Sequence, residues 1–111
     1  MKINEQNSFT ILEDERDSIF NFASFISQQI PKYFSKKNVV INLLKYTDFV
    51  LEDLLLFLET SNVHRKNKHS FVLVNNAIDV DEIPLEMVIV PTIQEAADII
   101  EMEEIERDLS F

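Results

Sequence analysis

No glycine occurs anywhere in the 111 residues. That excludes the Gly-rich phosphate cradles, dinucleotide fingerprints and nucleophile elbows that need a residue without a Cβ at a tight turn. Cysteine is also absent, so disulfides, thiolate metal sites and thiol nucleophiles are excluded, and a reducing compartment fits the chain. No apolar run approaches the roughly 18 residues needed to span a bilayer, and MKINEQNSF lacks the apolar centre of a secretory signal. The expected location is the cytoplasm. Cations are scarce: ten Lys and Arg stand against twenty Asp and Glu, a formal net charge of −10. Nucleic acid and anionic membranes are disfavoured as partners, because both need a basic footprint.

What is present is ordinary globular material, 46% apolar and 27% charged, well away from the composition of disorder. The length suits a single domain, residues 1–111. SFTIL, Ser8 to Leu12, alternates like a half-buried edge strand. From Asp17 the apolar spacing lengthens to that of a helix, capped by Asp17 or Ser18 and ended or kinked by Pro31. VVINLL, Val39 to Leu44, reads as a central strand covered on both faces. A second helix is expected from about Val50 to His64, with Leu51, Leu54, Leu55 and Leu58 at i, i+3, i+4 and i+7 and Thr47 or Asp48 as its cap. Ser70 to Val74 and Met87 to Val90 read as two further strands. Thr92-Ile93-Gln94-Glu95 has the form of a capping box opening a last helix that runs close to the C-terminus. Strands alternating with helices in so short a chain require crossover connections and an α/β layered domain.

The run from Val39 to Leu58, then Ser70 to Val74, then PTIQEAADII, resembles the STAS domain family, the anti-sigma-factor antagonists and their relatives. The tail PTIQEAADIIEMEEIERDL is similar to that of small STAS-like proteins of Bacteroidetes, some of which carry the name ribonuclease Z. The resemblance implies a four- or five-stranded mixed sheet with three helices, and a non-catalytic, regulatory protein-protein interaction role. Aligning Asn42-Leu43 with the family's Asp-Leu lays its D-S-S-G-L motif over Val50, Leu51, Glu52, Asp53 and Leu54. Only Leu54 agrees. In kinase-regulated members the second serine is the phosphoacceptor, and here that position is Glu52. Either the carboxylate stands in permanently for a phosphate, or Glu52 and Asp53 are first-turn acids favoured by the helix dipole. Thr47 is read separately, as a displaced phosphoacceptor or as a helix cap. The family's helix between the third and fourth of these strands has only Asn75 to Glu86 to occupy, and so is expected to be missing.

No nucleophile is paired with a base and an oxyanion donor, so no catalytic residue is assigned and the chain is read as a non-enzyme. His64 and His69, the only histidines, sit five apart in a basic turn and are read as solvated rather than as metal ligands. Asp79, Asp81, Glu82 and Glu86 lack the spacing of a calcium loop and read as a solvated acidic loop. No cofactor or metal is expected. The lysines and arginines between Lys32 and Lys68 read as local charge balance rather than a nucleic-acid surface.

The last helix carries two apolar stripes. Ile93, Ala96, Ala97 and Ile100 share one side and should dock on the sheet, whereas Met102, Ile105 and Leu109 lie nearly opposite. Either the helix bends to bury both, or Met102, Ile105, Leu109 and Phe111 meet a partner or a second copy. The candidate partner-binding residues are therefore Thr47, Asp48, Glu52 and Asp53 at the second helix, and Met102, Ile105, Leu109 and Phe111 at the last. The acidity favours a protein partner with a basic surface. The alternatives are a small α/β ligand-binding domain or enzyme, and a self-associating subunit such as a homodimer.

Overall fold

The computed structural model describes residues 1–109. Five strands form one mixed sheet in the order β1 (Lys2–Glu5), β2 (Thr10–Glu13), β3 (Val39–Asn42), β4 (Phe71–Val74) and β5 (Ile89–Val90). β1 pairs antiparallel with β2, and β2 to β5 run parallel. The helices are α1 (Ile19–Tyr33), α2 (Leu51–Leu55), α3 (Leu58–Lys66) and α4 (Ile93–Leu109). This is the α/β class expected, with a mixed sheet.

Parallel strands joined by crossovers are right-handed almost without exception. Because the order β2-β3-β4-β5 never reverses, every crossover must lie on the same face of the sheet. The burial pattern agrees. Phe22, Ile26 and Ile30 of α1, Leu54 of α2, Phe57, and Met87 from the β4–β5 connection pack with Leu12, Ile41, Phe71 and Leu73 in one front cluster. Among the described residues the rear face receives only α4, whose Ala96 and Ile100 pack on Val40, Val72 and Val74. β4 is sandwiched, so all four of its residues are buried. α4 reaches β3, β4 and β5, and Phe9 and Ile11 at the β2 margin of the rear face stay only half-buried.

Several boundaries differ from the sequence reading. The strand at SFTIL is β2, and it is not an edge: β1, four exposed residues with little apolar content, takes that place. Charged Lys2 and Glu5 on this outermost strand discourage pairing with other chains. The expected single helix from Val50 to His64 is broken at Leu56 and Phe57. There the amides bond three residues back, to the carbonyls of Asp53 (3.2 Å) and Leu54 (3.0 Å). Such a tightened turn brings residues three apart into line, which lets Leu54 and Phe57 both face the front core. α1 continues two residues beyond Pro31 before stopping. The missing proline amide falls in the last turn, so it costs one hydrogen bond without breaking the body of the helix. Between β4 and β5 there is only a 3-10 turn, Val80–Glu82.

Local capping accounts for the helix ends. Ser18 accepts a hydrogen bond from the Asn21 amide at 3.2 Å. Thr92 Oγ1 accepts from the Glu95 amide at 3.1 Å and donates to the Glu95 carboxylate at 3.2 Å. α3 ends with the His69 amide bonding the His64 carbonyl and the Lys68 amide bonding that of Arg65. This pairing requires a left-handed residue at Lys68 (φ 64°). Glycine normally fills that place. In a chain without glycine, a lysine carries the steric penalty.

Candidate functional site

The carboxyl ends of parallel strands are where α/β sheets place ligands, in the crevice that opens where the strand order reverses. Here β2 to β5 have no reversal and so no such crevice. Asn75 fills the space beyond β3 and β4, donating to the carbonyls of Leu43 (2.8 Å) and Tyr46 (2.9 Å). The Tyr46 hydroxyl donates to Asp14 Oδ2 at 2.5 Å. Burial, then the Asp14 hydrogen bond and charge, push the Tyr46 phenol well above its usual range, so it stays neutral. Lys45 donates to the backbone carbonyls of Asp14 (2.9 Å) and Arg16. Sequence reading gave none of these four residues a place in a site and took Lys45 for local charge balance. They close the end of the sheet, with no pair left aimed at a substrate.

Above this floor lies the loop that bears the first group of candidates. Phe49 is buried in the front core and pins the loop down, so Thr47 and Asp48 on one side and Val50 on the other face solvent. The helix opens at Leu51 with Val50 as its cap, later than Thr47 or Asp48 could serve, which overturns both expected caps. Valine has no acceptor, so only the reciprocal half of a capping box forms: Asp53 accepts from the Val50 amide at 3.1 Å. Glu52 is exposed and has no hydrogen-bond or ion-pair partner among the described residues. The two acids thus differ in role: Asp53 is a structural cap and Glu52 projects freely. Val50 and Leu55, both exposed, flank it.

Charge follows topology. Every helix after a parallel strand starts at the carboxyl end of the sheet and finishes at the amino end, and helix starts favour acids while helix ends favour cations. The segments leaving β2, β3 and β5 carry Asp14, Glu15, Asp17, Asp48, Glu52, Asp53 and Glu95 against Arg16 and Lys45. The segments entering β3 and β4 carry Lys36, Lys37, Arg65, Lys66 and Lys68 and no acid. The basic residues of the middle of the chain, Lys32 in the last turn of α1 included, are thereby gathered at one pole, Lys45 aside.

At that amino pole, α4 contributes a polar network. Asn38 donates to Glu104 (2.6 Å) and to the Ser8 carbonyl (3.0 Å), and accepts from the Ser70 amide (2.8 Å) and from Arg107 (3.3 Å). Ser70, fully buried, donates to Glu103 at 2.6 Å and accepts from Arg107 at 3.2 Å. Arg65 closes the ring on Glu103. A depression of about 610 Å³ opens here between Lys37, Asn38, Lys68, His69, Glu104 and Arg107. Its inner polar groups are bonded to one another. His64 is buried (2% exposed), contrary to the solvated histidine expected. Its Nε2 meets the Lys37 carbonyl at 2.7 Å, and its ring packs against Phe71 and His69. Burial first, then the charges of His69 and Arg65, hold its imidazole below the ordinary histidine value, although the Lys37 carbonyl works the other way. The acidic loop residues Asp79, Asp81, Glu82 and Glu86 are exposed as expected.

On α4 the two stripes separate as the wheel requires. Ala96 and Ile100 are fully buried, whereas Met102, Ile105 and Leu109 are 56%, 53% and 71% exposed. Phe111 lies outside the described residues. The buried stripe continues beyond Ile100 as Glu103, Glu104 and Arg107, so the helix remains docked by polar contacts and keeps its second apolar stripe in solvent. Among the described residues no cluster of three or more His, Asp or Glu is placed to hold a metal ion, and no helix is long and apolar enough to cross a membrane. A scan against protein-family models finds no match to this chain, and a search of curated proteins finds none either.

Proposed function

We propose that the protein is a STAS-like, non-catalytic docking module of the cytoplasm that regulates a protein partner through the carboxyl end of its sheet. The observation that carries this reading is the surface around α2: exposed Val50 and Leu55 flank a Glu52 that has no partner among the described residues, apart from the depression of about 250 Å³ that opens beside Asp14, Arg16 and Asn21 at the same end of the sheet. A mosaic of exposed apolar and acidic groups suits a protein with a basic, partly apolar face. The unreversed strand order and the mutual satisfaction of Asp14, Tyr46, Lys45 and Asn75 support the non-enzyme reading. Glu52 holds the place of the family's phosphoacceptor, so the surface is charged without a kinase.

The test uses the full chain and an Asp48→Lys/Glu52→Lys variant, both sites being exposed, immobilised side by side in lysate of the native cell. The expected result is a protein that the wild type retains, that elutes with rising salt, and that the variant loses by tenfold or more. Equal retention by both would reject this face. Glu52→Gln and Glu52→Ser then separate charge mimicry from a dipole role: affinity unchanged in both leaves Glu52 as a helix-start acid only.

A further inference from the structure

The exposed stripe of α4 lies on another face and has a pattern that specifies its occupant. Met102, Ile105 and Leu109 recur at intervals of three and four, the a, d, a spacing of a helix-to-helix seam. In that register the docked residues Ile93, Ala96, Ile100, Glu103, Glu104 and Arg107 occupy positions b, c and f, directly away from the seam. The helix is thus anchored by one side and offers the other to a second helix. The e and g positions beside Met102, Ile105 and Leu109, which choose the partner in such pairs, are Glu101, Glu106 and Asp108, all acidic; the e position before them is Ile99, half-buried on the rear core. Toward the start of α4 the seam itself turns acidic, at Asp98. Arg107 is the helix's only cation, and its guanidinium is turned inward to Asn38 and Ser70.

A second copy of this chain is a poor occupant. Paired parallel, the g position of one helix meets the following e position of the other, which would set Glu101 against Glu106. Paired antiparallel, they would set like against like. Every flanking contact would be acid to acid, which is destabilising in either orientation.

We propose that Met102, Ile105 and Leu109 form a heterotypic seam for an amphipathic helix of another protein, one whose apolar stripe is flanked by Lys or Arg. The proposal goes beyond the docking function assigned to the α2 surface and stands independently of it. Basic side chains at the partner's flanks pair with Glu101, Glu106 and Asp108, and one facing Asp98 extends the contact by a turn.

The experiment displays a library of amphipathic peptides with leucine at a and d and with Lys, Glu or Gln allowed at each e and g, selected against the full chain. Lys is expected to displace Glu at the flanking positions by about tenfold or more. The selected peptides should bind Ile105→Asp at least tenfold more weakly, the scale of losing one apolar anchor. Ile105 is exposed, and circular dichroism checks that this variant is folded. A Glu101→Gln/Glu106→Gln/Asp108→Asn variant should keep the seam and lose the preference for Lys. The Asp48→Lys/Glu52→Lys variant should select the same peptides as wild type, which keeps failure of the α2 reading separate from failure of this one. Selection indifferent to charge, or peptides that bind Ile105→Asp unchanged, would overturn the proposal. So would sedimentation showing a wild-type dimer that Ile105→Asp converts to a monomer, since the face would then belong to a second copy.

Discussion

At the scale of single residues, the largest surprise in this chain is His64. Its Nε2 donates to the Lys37 carbonyl, so the neutral ring carries its proton there, and a second proton would place a charge among buried groups. In the unfolded chain the same histidine protonates near its ordinary value of about 6.5. As pH falls through that value the unfolded state takes up the proton more readily than the folded state, whose His64 is held lower by burial, so His64 makes stability fall as pH drops below about 6.5. The limiting slope is about 1.4 kcal/mol per pH unit. Urea titrations at a series of pH values should show this fall in the wild type and a flatter profile in His64→Gln, whose amide can also donate to Lys37. A parallel profile for the two proteins would remove His64 as the cause. Sequence reading placed His64 in a solvated turn because its neighbours Arg65, Lys66 and Lys68 are charged. Its burial depends on Phe71 from the next strand and on the loop at Lys37, neither of which lies beside it in the chain.

At the scale of elements, the two acids opening α2 read alike in sequence as first-turn acids, with phosphate mimicry as the alternative for Glu52, and they take different roles in the structure. Asp53 satisfies the Val50 amide, so Asp53→Ala removes a cap and is expected to cost about 0.5–1 kcal/mol. Glu52→Gln removes only an exposed dipole interaction and should stay within about 0.5 kcal/mol. Chemical denaturation of the two variants distinguishes the roles, and equal losses would contradict them. The caps of α1 and α4, at Ser18 and Thr92, were legible because a cap is made between residues three apart. The start of α2 was not, because buried Phe49 sets where the loop leaves the core, and that anchor belongs to the front cluster. Likewise the leucine-rich run reads as one helix, and the break at Leu56 and Phe57 follows from the need to turn Phe57 inward beside Phe22.

At the scale of the whole molecule, one network holds α4 against the amino end of the sheet. Asn38→Ala would orphan the buried Ser70 amide and release Glu104 and Arg107, an expected loss of about 1–3 kcal/mol. Glu104→Gln, which keeps an acceptor for Asn38, should cost less than half as much, and a denaturation midpoint that ranks them in reverse would refute this role for Asn38. The same network bears on how the seam is tested. Removing Met102 to Leu109 would also remove Glu103, Glu104 and Arg107, so truncation confounds binding with folding and exposed point substitutions do not. The gathering of Lys36, Lys37, Arg65, Lys66 and Lys68 at one pole belongs to this scale too, with Glu103, Glu104, Glu106 and Asp108 of α4 brought to the same pole. It arises because all helices following parallel strands point the same way, and each places acids at its start or cations at its end.

The sequence by itself determined the class of the fold, the positions of the buried strands and the two opposed stripes of the last helix, because periodicity and capping are interactions between near neighbours. The exposed strand β1, the broken second helix and the burial of His64 were decided by the tertiary structure. So was the conversion of α4's inward stripe from apolar to polar. Each depends on groups brought together from afar: Asn38 meets Glu104 and Arg107 across 66 and 69 positions of the chain. Only that closure satisfies the inward polar groups of α4 and leaves Met102, Ile105 and Leu109 facing solvent.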